Sequence, residues 1–223
     1  MEAAINEAWE RIRSLPDVRV IGLGSGRTII PFIHGIVNYP EFHTCTFIPT
    51  SFQASELLDQ LRLRRGDLNA YMRVDVTVDG CDAYIIDDCI ENNVTLIKGG
   101  GGCMLQEKMV AQVSGTFIII ASREKARKTT DGLVIPVEVH PFAVGACIER
   151  IKQHSGVKSV TVRQGTGKVG PVISDSGNVI IDVLLTEDKQ PVDLNELNEF
   201  LLSISGVLET GLFIGMHPCL LTF

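Results

Sequence analysis

The residues of this chain that could do chemistry crowd into a few short stretches. Asp79-Gly80-Cys81-Asp82 closes an apolar, β-branched run. Lys98 leads into four glycines, Gly99, Gly100, Gly101 and Gly102, and then into a segment with helical spacing that carries Glu107 and Lys108. Carboxylates at the end of a buried strand are costly to desolvate unless they bind something. Consecutive glycines give up roughly 0.5 to 1 kcal/mol each relative to alanine in regular structure, which makes sense where a backbone must come close to a ligand. Their N–H groups can form an oxyanion-binding nest at a helix start. Lys98 adds a cation to that nest, and Glu107 lies a turn or so inside the helix, placed to point back at it. A lysine, amide donors and one carboxylate base are the parts needed to move a proton next to a carbonyl. The bland alternative is a glycine-rich turn before a solvated helix face carrying Glu107 and Lys108. The co-occurrence of all these groups weighs against it.

A second candidate is the loop Gly22 to Thr28, which follows a strand-like run and opens a helix. Its N–H groups and the helix dipole aim at an anion, with Ser25, Gly26, Arg27 and Thr28 at the mouth. A phosphate group fits. A dinucleotide fits less well, because neither glycine frame keeps the third glycine of that fingerprint, and no Gly-Lys-Ser/Thr ending marks a nucleotide P-loop. Taken alone, the loop is equally consistent with a plain tight turn. Thr50 and Ser51 in PTSFQAS again lie just past a strand, and in an open parallel sheet such loops face one crevice.

Composition narrows the partners. The 223 residues are 45% hydrophobic and 21% charged, which excludes disorder and allows one large or two small domains. With 20 Lys+Arg against 27 Asp+Glu the net charge is −7, so the basic footprint of a nucleic-acid or anionic-membrane binder is missing. An anionic small substrate must therefore be captured by a local device. The first ten residues carry three acids and no base, and no apolar run reaches about 18 residues, so a cytoplasmic chain is expected. Six cysteines without a CxxC pair read as reduced thiols, and five histidines without an HExxH cluster give no metal site, so no metal is expected.

The elements that must position these groups alternate. A helix with Ile5, Ala8, Trp9 and Ile12 on one face ends at Pro16. Val18 to Leu23, Thr44 to Ile48 and Met72 to Val78 read as strands, with helices at TIIPFIHGIV and Ser55 to Arg65 between them. A helix over Cys103 to Val113 precedes the strand TFIIIA. Strands separated by helices imply a parallel sheet covered on both faces. Beyond about Lys128 the texture changes to strand VIPVEV, helix Phe142 to His154, strands Val157 to Arg163 and Asn178 to Leu184, and helix Leu194 to Ser203. That order suits a small α+β unit. VLETGLFI reads as one core strand returning to the large unit. The expected fold is α/β: a Rossmann-like catalytic domain from 1–128 and 205–223, and a ferredoxin-like α+β domain from 129–204.

VIGLGSGRT, PTSFQAS, DVTVDGCD, LIKGGGGCMLQEKMVA, IPVEVHPF and GVLETGLFIGM, in this order, resemble ribose-5-phosphate isomerase of the A type over nearly the whole chain. The resemblance implies interconversion of D-ribose 5-phosphate and D-ribulose 5-phosphate through an enediolate, without metal or cofactor, in a homodimer or homotetramer. It makes Glu107 the base, with Asp79, Asp82 and Lys98 assisting ring opening and proton traffic. The amides of Gly99 to Gly102 would hold the oxyanion, Ser25, Thr28, Thr50 and Ser51 would surround the phosphate, and Lys125 would contact substrate.

The chain departs from the family's pattern in several places. Ser25 and Arg27 replace the threonine and serine of the usual GTGST loop, and Ala83 and Tyr84 follow DGCD where an acid is usual. The stretch from Ala83 to Ile97, with Asp87, Asp88 and Glu91, is longer than the family's and is expected to be a loop at the crevice. The end soon after GLFIGM implies a shortened edge strand. Two alternatives stand beside the isomerase. A deaminase or lactonase of the same fold would need an active-site histidine, which neither motif supplies, and a non-catalytic sugar-phosphate sensor would need no base at Glu107.

Overall fold

The structure is a computed structural model that describes residues 1–86, 94–187 and 191–223. The first helix, α1 (Glu2–Ser14), buries Ala4, Ile5, Ala8, Trp9 and Ile12 along one stripe. The strands β1 (Val20–Leu23), β2 (Thr46–Pro49) and β3 (Val74–Asp79) follow, interleaved with α2 (Ile29–Gly35) and α3 (Phe52–Gln60). A short antiparallel pair, β4 (Ala83–Ile86) and β5 (Val94–Ile97), leads into α4 (Met104–Gln112) and β6 (Ser114–Ala121). The second half contains β7 (Val134–Val139), α5 (Val144–Ile151), β8 (Val157–Val162), β9 (Val179–Leu185), α6 (Leu194–Leu202), β10 (Val207–Thr210), β11 (Leu212–Phe213) and β12 (Cys219–Thr222).

The large sheet has the order β12-β6-β3-β1-β2, and every described pairing in it is parallel. Its strands are apolar on both faces because both faces are covered. In β6, Ile118 and Ile120 join the core under α1 and α2, whereas Phe117, Ile119 and Ala121 join the core containing Met104 and Ala111 of α4. Trp9 stacks on Phe32 at 4.2 Å and on Phe42 at 5.4 Å, which locks α1 to the chain around α2.

The small sheet has the order β10-β7-β9-β8, fully antiparallel, with the strand-helix-strand-strand-helix-strand connection of a ferredoxin-like unit. Ile135, Val137 and Val139 face a core shared with Cys147, Ile151, Leu197 and Leu201 of its helices. The alternate residues Pro136 and Ile180 face the glycine-rich loop after β5.

Three expectations about these elements change. VLETGLFI is not one strand: β10 closes the small sheet against β7, Gly211 breaks the run, and β11 pairs with β5. Gly211 donates its N–H to Pro136 and accepts the N–H of Lys98. A side chain there would strike the Lys98 carbonyl at 2.1 Å. The stretch after Asp82 is not wholly loop, since its two ends pair as β4 and β5 and add β11 to make a third sheet. Asp87, Asp88 and Glu91 lie outside the described residues. Helix α3 begins at Phe52, ahead of the expected Ser55, because the Ser51 hydroxyl accepts the Ala54 N–H as its N-cap. The edge beside β6 is filled, with Cys219 to Thr222 paired in register.

Candidate active site

In a parallel sheet the carboxyl ends of adjacent strands come level, and the loops leaving them share one crevice. Leu23 lies opposite Pro49 on one side and Val78 on the other, so Gly24, Thr50 and Asp79 emerge side by side. Gly24 donates its N–H to Val78, and Thr50 donates its N–H to Leu23. A side chain at Gly24 would overlap the Asp79 carboxylate at 1.9 Å, so only glycine lets the first loop pass over that acid.

Lys98 is the hub. Its Nζ stands 2.9 Å from Asp79 Oδ2 and 3.1 Å from Glu107 Oε2, and it donates to the Gly80 carbonyl at 2.6 Å. All three charged side chains are at most 5% exposed. The other Asp79 oxygen accepts the N–H of Gly80 at 2.7 Å and of Ser25 at 3.2 Å. Glu107 comes from the first turn of α4, so it points toward the helix N-terminus and the glycines. Of the sequence-derived candidates, these three side chains are in direct contact.

One cation between two buried carboxylates leaves a negative charge in excess. Burial pushes the Glu107 carboxyl up to about 8, the nearby Asp79 charge adds to this, and Lys98 opposes it. Burial also raises Asp79, against the pull of Lys98. Burial alone would lower Lys98, but the two carboxylates overcome it and hold the ammonium charged.

The glycine turn is partly self-satisfied. Gly100 donates its N–H to Asp82 Oδ2 at 2.7 Å, and Gly102 donates to the Gly99 carbonyl at 2.9 Å. Gly99, at φ +98°, has Met104 and Pro136 where a side chain would begin, whereas Gly101 faces open space. Asp82 is exposed, in contrast to Asp79. Lys125 lies in a 3-10 turn after β6 and donates to the Cys81 carbonyl at 2.6 Å, which bridges β6 to the DGCD segment.

The first loop and the PTSF segment meet where Ser25 Oγ lies 3.2 Å from Thr50 Oγ1, which itself donates to the Leu23 carbonyl. Gly26 donates its N–H to Gln53 at 2.8 Å. The Ser51 hydroxyl is committed to its cap. Thr28 packs near Gly80, and Arg27 is exposed.

Several contributors carried no signal in the sequence. Lys108, read as part of a solvated face in the bland alternative, is buried. It donates to Glu209 and to the carbonyls of Thr210 and Leu212, which bolts α4 to the β10–β11 junction. Asp175 accepts the Phe52 N–H at 2.7 Å from 123 residues away. Arg163, paired with Asp182, donates to the carbonyls of Gly99 and Gly100. Among the described residues no three His, Cys, Asp or Glu side chains converge as a metal cage. Lys98 occupies the point between Asp79 and Glu107 where a cation would sit.

The model of the family ribose 5-phosphate isomerase A (phosphoriboisomerase A) matches residues 46–222. The chain belongs to this family. It is 37% identical over 215 residues to a ribose-5-phosphate isomerase of Cryptococcus neoformans var. neoformans serotype D, covering 89% of this chain and 67% of the relative. It is 34% identical to one of Saccharomyces cerevisiae, over 95% of this chain and 83% of that one. Among solved structures, ribose 5-phosphate isomerase A of Methanocaldococcus jannaschii superposes with a TM-score of 0.81 at 36% identity, covering 96% of this chain and 91% of that one. A D-ribose-5-phosphate isomerase in complex with phospho-erythronic acid superposes with a TM-score of 0.83 at 31% identity, covering 99% and 94%. The ribose 5-phosphate isomerase A fold thus accounts for both the parallel sheet and the ferredoxin-like unit.

Proposed function

We propose that this chain interconverts D-ribose 5-phosphate and D-ribulose 5-phosphate, the aldose–ketose step of the non-oxidative pentose phosphate pathway. The observation that carries the reading is the buried Glu107 carboxylate, held 3.1 Å from Lys98 at the start of α4 and pushed up to about 8. A base poised near neutrality removes a carbon-bound proton more readily than an ordinary carboxylate, while remaining partly ionised at working pH. Lys98 and the amides of the glycine turn lie where the neighbouring oxygen would gather charge, which acidifies that proton.

In this reading Glu107 removes the proton from C2 of the open-chain aldose and returns it to C1. Lys98 and the Gly101 amide stabilise the enediolate oxygen. Asp79 and Asp82 serve ring opening and the movement of protons between O1 and O2. Ser25, Gly26, Arg27 and Thr28, with Thr50 and Ser51 behind them, form the phosphate end, and Lys125 closes the far wall. The phospho-erythronic acid held by a relative supports a phosphorylated sugar as substrate. That ligand carries a planar, anionic carboxylate, like an enediolate, and a phosphate, the two groups this site is proposed to hold. A cytoplasmic setting, metal-independent turnover and assembly as a homodimer or homotetramer complete the proposal. The described cysteines, all unpaired, suit a reducing compartment.

The test is ketose formation from ribose 5-phosphate with and without a chelator, with the assembly measured by sedimentation. Turnover that resists the chelator is expected. Binding without turnover would instead fit a sugar-phosphate sensor of the same fold, which no feature of the site favours.

A further inference from the structure

We infer that Arg163 of the small domain is a positioning residue for the proton transfer, holding the carbonyls of Gly99 and Gly100 so that the Gly100 N–H turns onto Asp82 and the Gly101 N–H toward the substrate; the inference rests on the isomerase reading. Arg163 follows β8, and its backbone is fixed from both sides, donating to Ile180 at 2.9 Å and accepting from Val172 at 2.8 Å. Its guanidinium forks onto Asp182 of β9 through Nε at 2.9 Å and through Nη2. That pair would be complete within the small sheet. The remaining nitrogen instead leaves the domain, and Nη1 donates to the Gly99 carbonyl at 2.7 Å and to the Gly100 carbonyl at 3.0 Å.

In a trans peptide the C=O and the following N–H point in opposite directions. A cation that pulls both carbonyls to one side therefore turns the N–H groups of Gly100 and Gly101 to the other. The Gly100 N–H does go there, reaching Asp82 Oδ2 at 2.7 Å. The Gly101 N–H is left for the oxyanion. Glycines define no orientation by themselves, because they allow either sense of each peptide plane. Arg163 removes that freedom, and its charge polarises the peptides and strengthens the donors on their far side. Lysine cannot fork onto Asp182 and reach two carbonyls at once.

The test compares the parent chain with Arg163→Met and Arg163→Lys. It measures kcat and KM for ribose 5-phosphate and affinities for phospho-erythronic acid and inorganic phosphate. Arg163→Met is expected to lower kcat roughly ten- to a hundredfold, as a misaimed oxyanion donor does. KM and phosphate affinity should stay within about threefold, while phospho-erythronic acid affinity falls in step with kcat/KM. Arg163→Lys should recover only part of the loss.

A parental kcat in Arg163→Met overturns the inference, as does an equal loss of inorganic phosphate affinity, which would mark general disruption of the crevice. If Arg163→Met does not fold, Asp182→Asn keeps the guanidinium but loosens its fork. The same split at about tenfold is then expected, with the same overturning results. A parent chain that never turns over ribose 5-phosphate overturns the isomerase reading instead. The ratio of phospho-erythronic acid to phosphate affinity then still judges Arg163.

Discussion

Two buried lysines, Lys98 and Lys108, flank the same aromatic ring at 5.5 and 4.8 Å from the centre of Phe213, yet the protein treats them in opposite ways. Lys98 faces two buried carboxylates and is held charged, with Glu107 raised as the counterpart. Lys108 faces one carboxylate, Glu209, and two backbone carbonyls; burial lowers it and Glu209 only partly restores it. The difference is the charge balance. An excess carboxylate leaves a proton that can be exchanged, so the Lys98 cluster is suited to reaction. A one-to-one pair with carbonyl partners fixes three elements in place and offers no proton.

That contrast breaks most sharply at Glu107. Glu107→Gln should keep the fold and lower kcat at least about a hundredfold, the usual scale for a general base. A variant with near-parental turnover would remove Glu107 from that role. Lys108→Met should do the reverse. It leaves Glu209 and two carbonyls without their donor and destabilises the protein by about 3 kcal/mol. The kcat of the folded fraction should drop less than about tenfold, a difference under about 1.4 kcal/mol. Denaturant titration alongside kinetics separates the two, and a Lys108→Met that matches Glu107→Gln in kcat would erase the distinction.

The pH dependence sharpens the comparison. Because the Asp79 charge helps raise Glu107, Asp79→Asn should move the acid limb of kcat/KM to lower pH in whatever activity remains. A limb that moves upward or stays would show that Asp79 does not act on Glu107. Stability follows the same sign. With its carboxyl raised to about 8, folded Glu107 binds its proton more tightly than the unfolded chain does. Its contribution is therefore complete below the ordinary carboxylate range and is lost as pH rises through about 8. Glu107→Gln should flatten that decline in a melting series across this window. The smallest effect is expected at exposed Arg27, where Arg27→Ser should raise KM by less than about tenfold if the guanidinium reaches phosphate. An unchanged KM would show that it does not.

Much of this was legible beforehand. The alternation of apolar β-branched runs with amphipathic stretches requires strands covered by helices, and Asp79, Lys98 and Glu107 sit in local contexts, a strand end and a helix start, that force them toward one crevice. Less legible were Lys108, which follows Glu107 in an ordinary-looking helix, and the split of VLETGLFI at Gly211. A strand run does not say which of two sheets will take each half. Arg163 and Asp175 were invisible, because their partners are the backbone groups of residues 64 and 123 positions away.

The amino-acid sequence by itself determined which groups stand at the ends of which elements, since hydrophobic periodicity, glycine and capping chemistry act over a few residues. Only the tertiary structure decided which of those groups gather around one lysine and which way the glycine peptides turn. Burial, the count of opposing charges around a lysine and the direction of a peptide plane are set by atoms brought from elsewhere in the chain, and no local pattern records them.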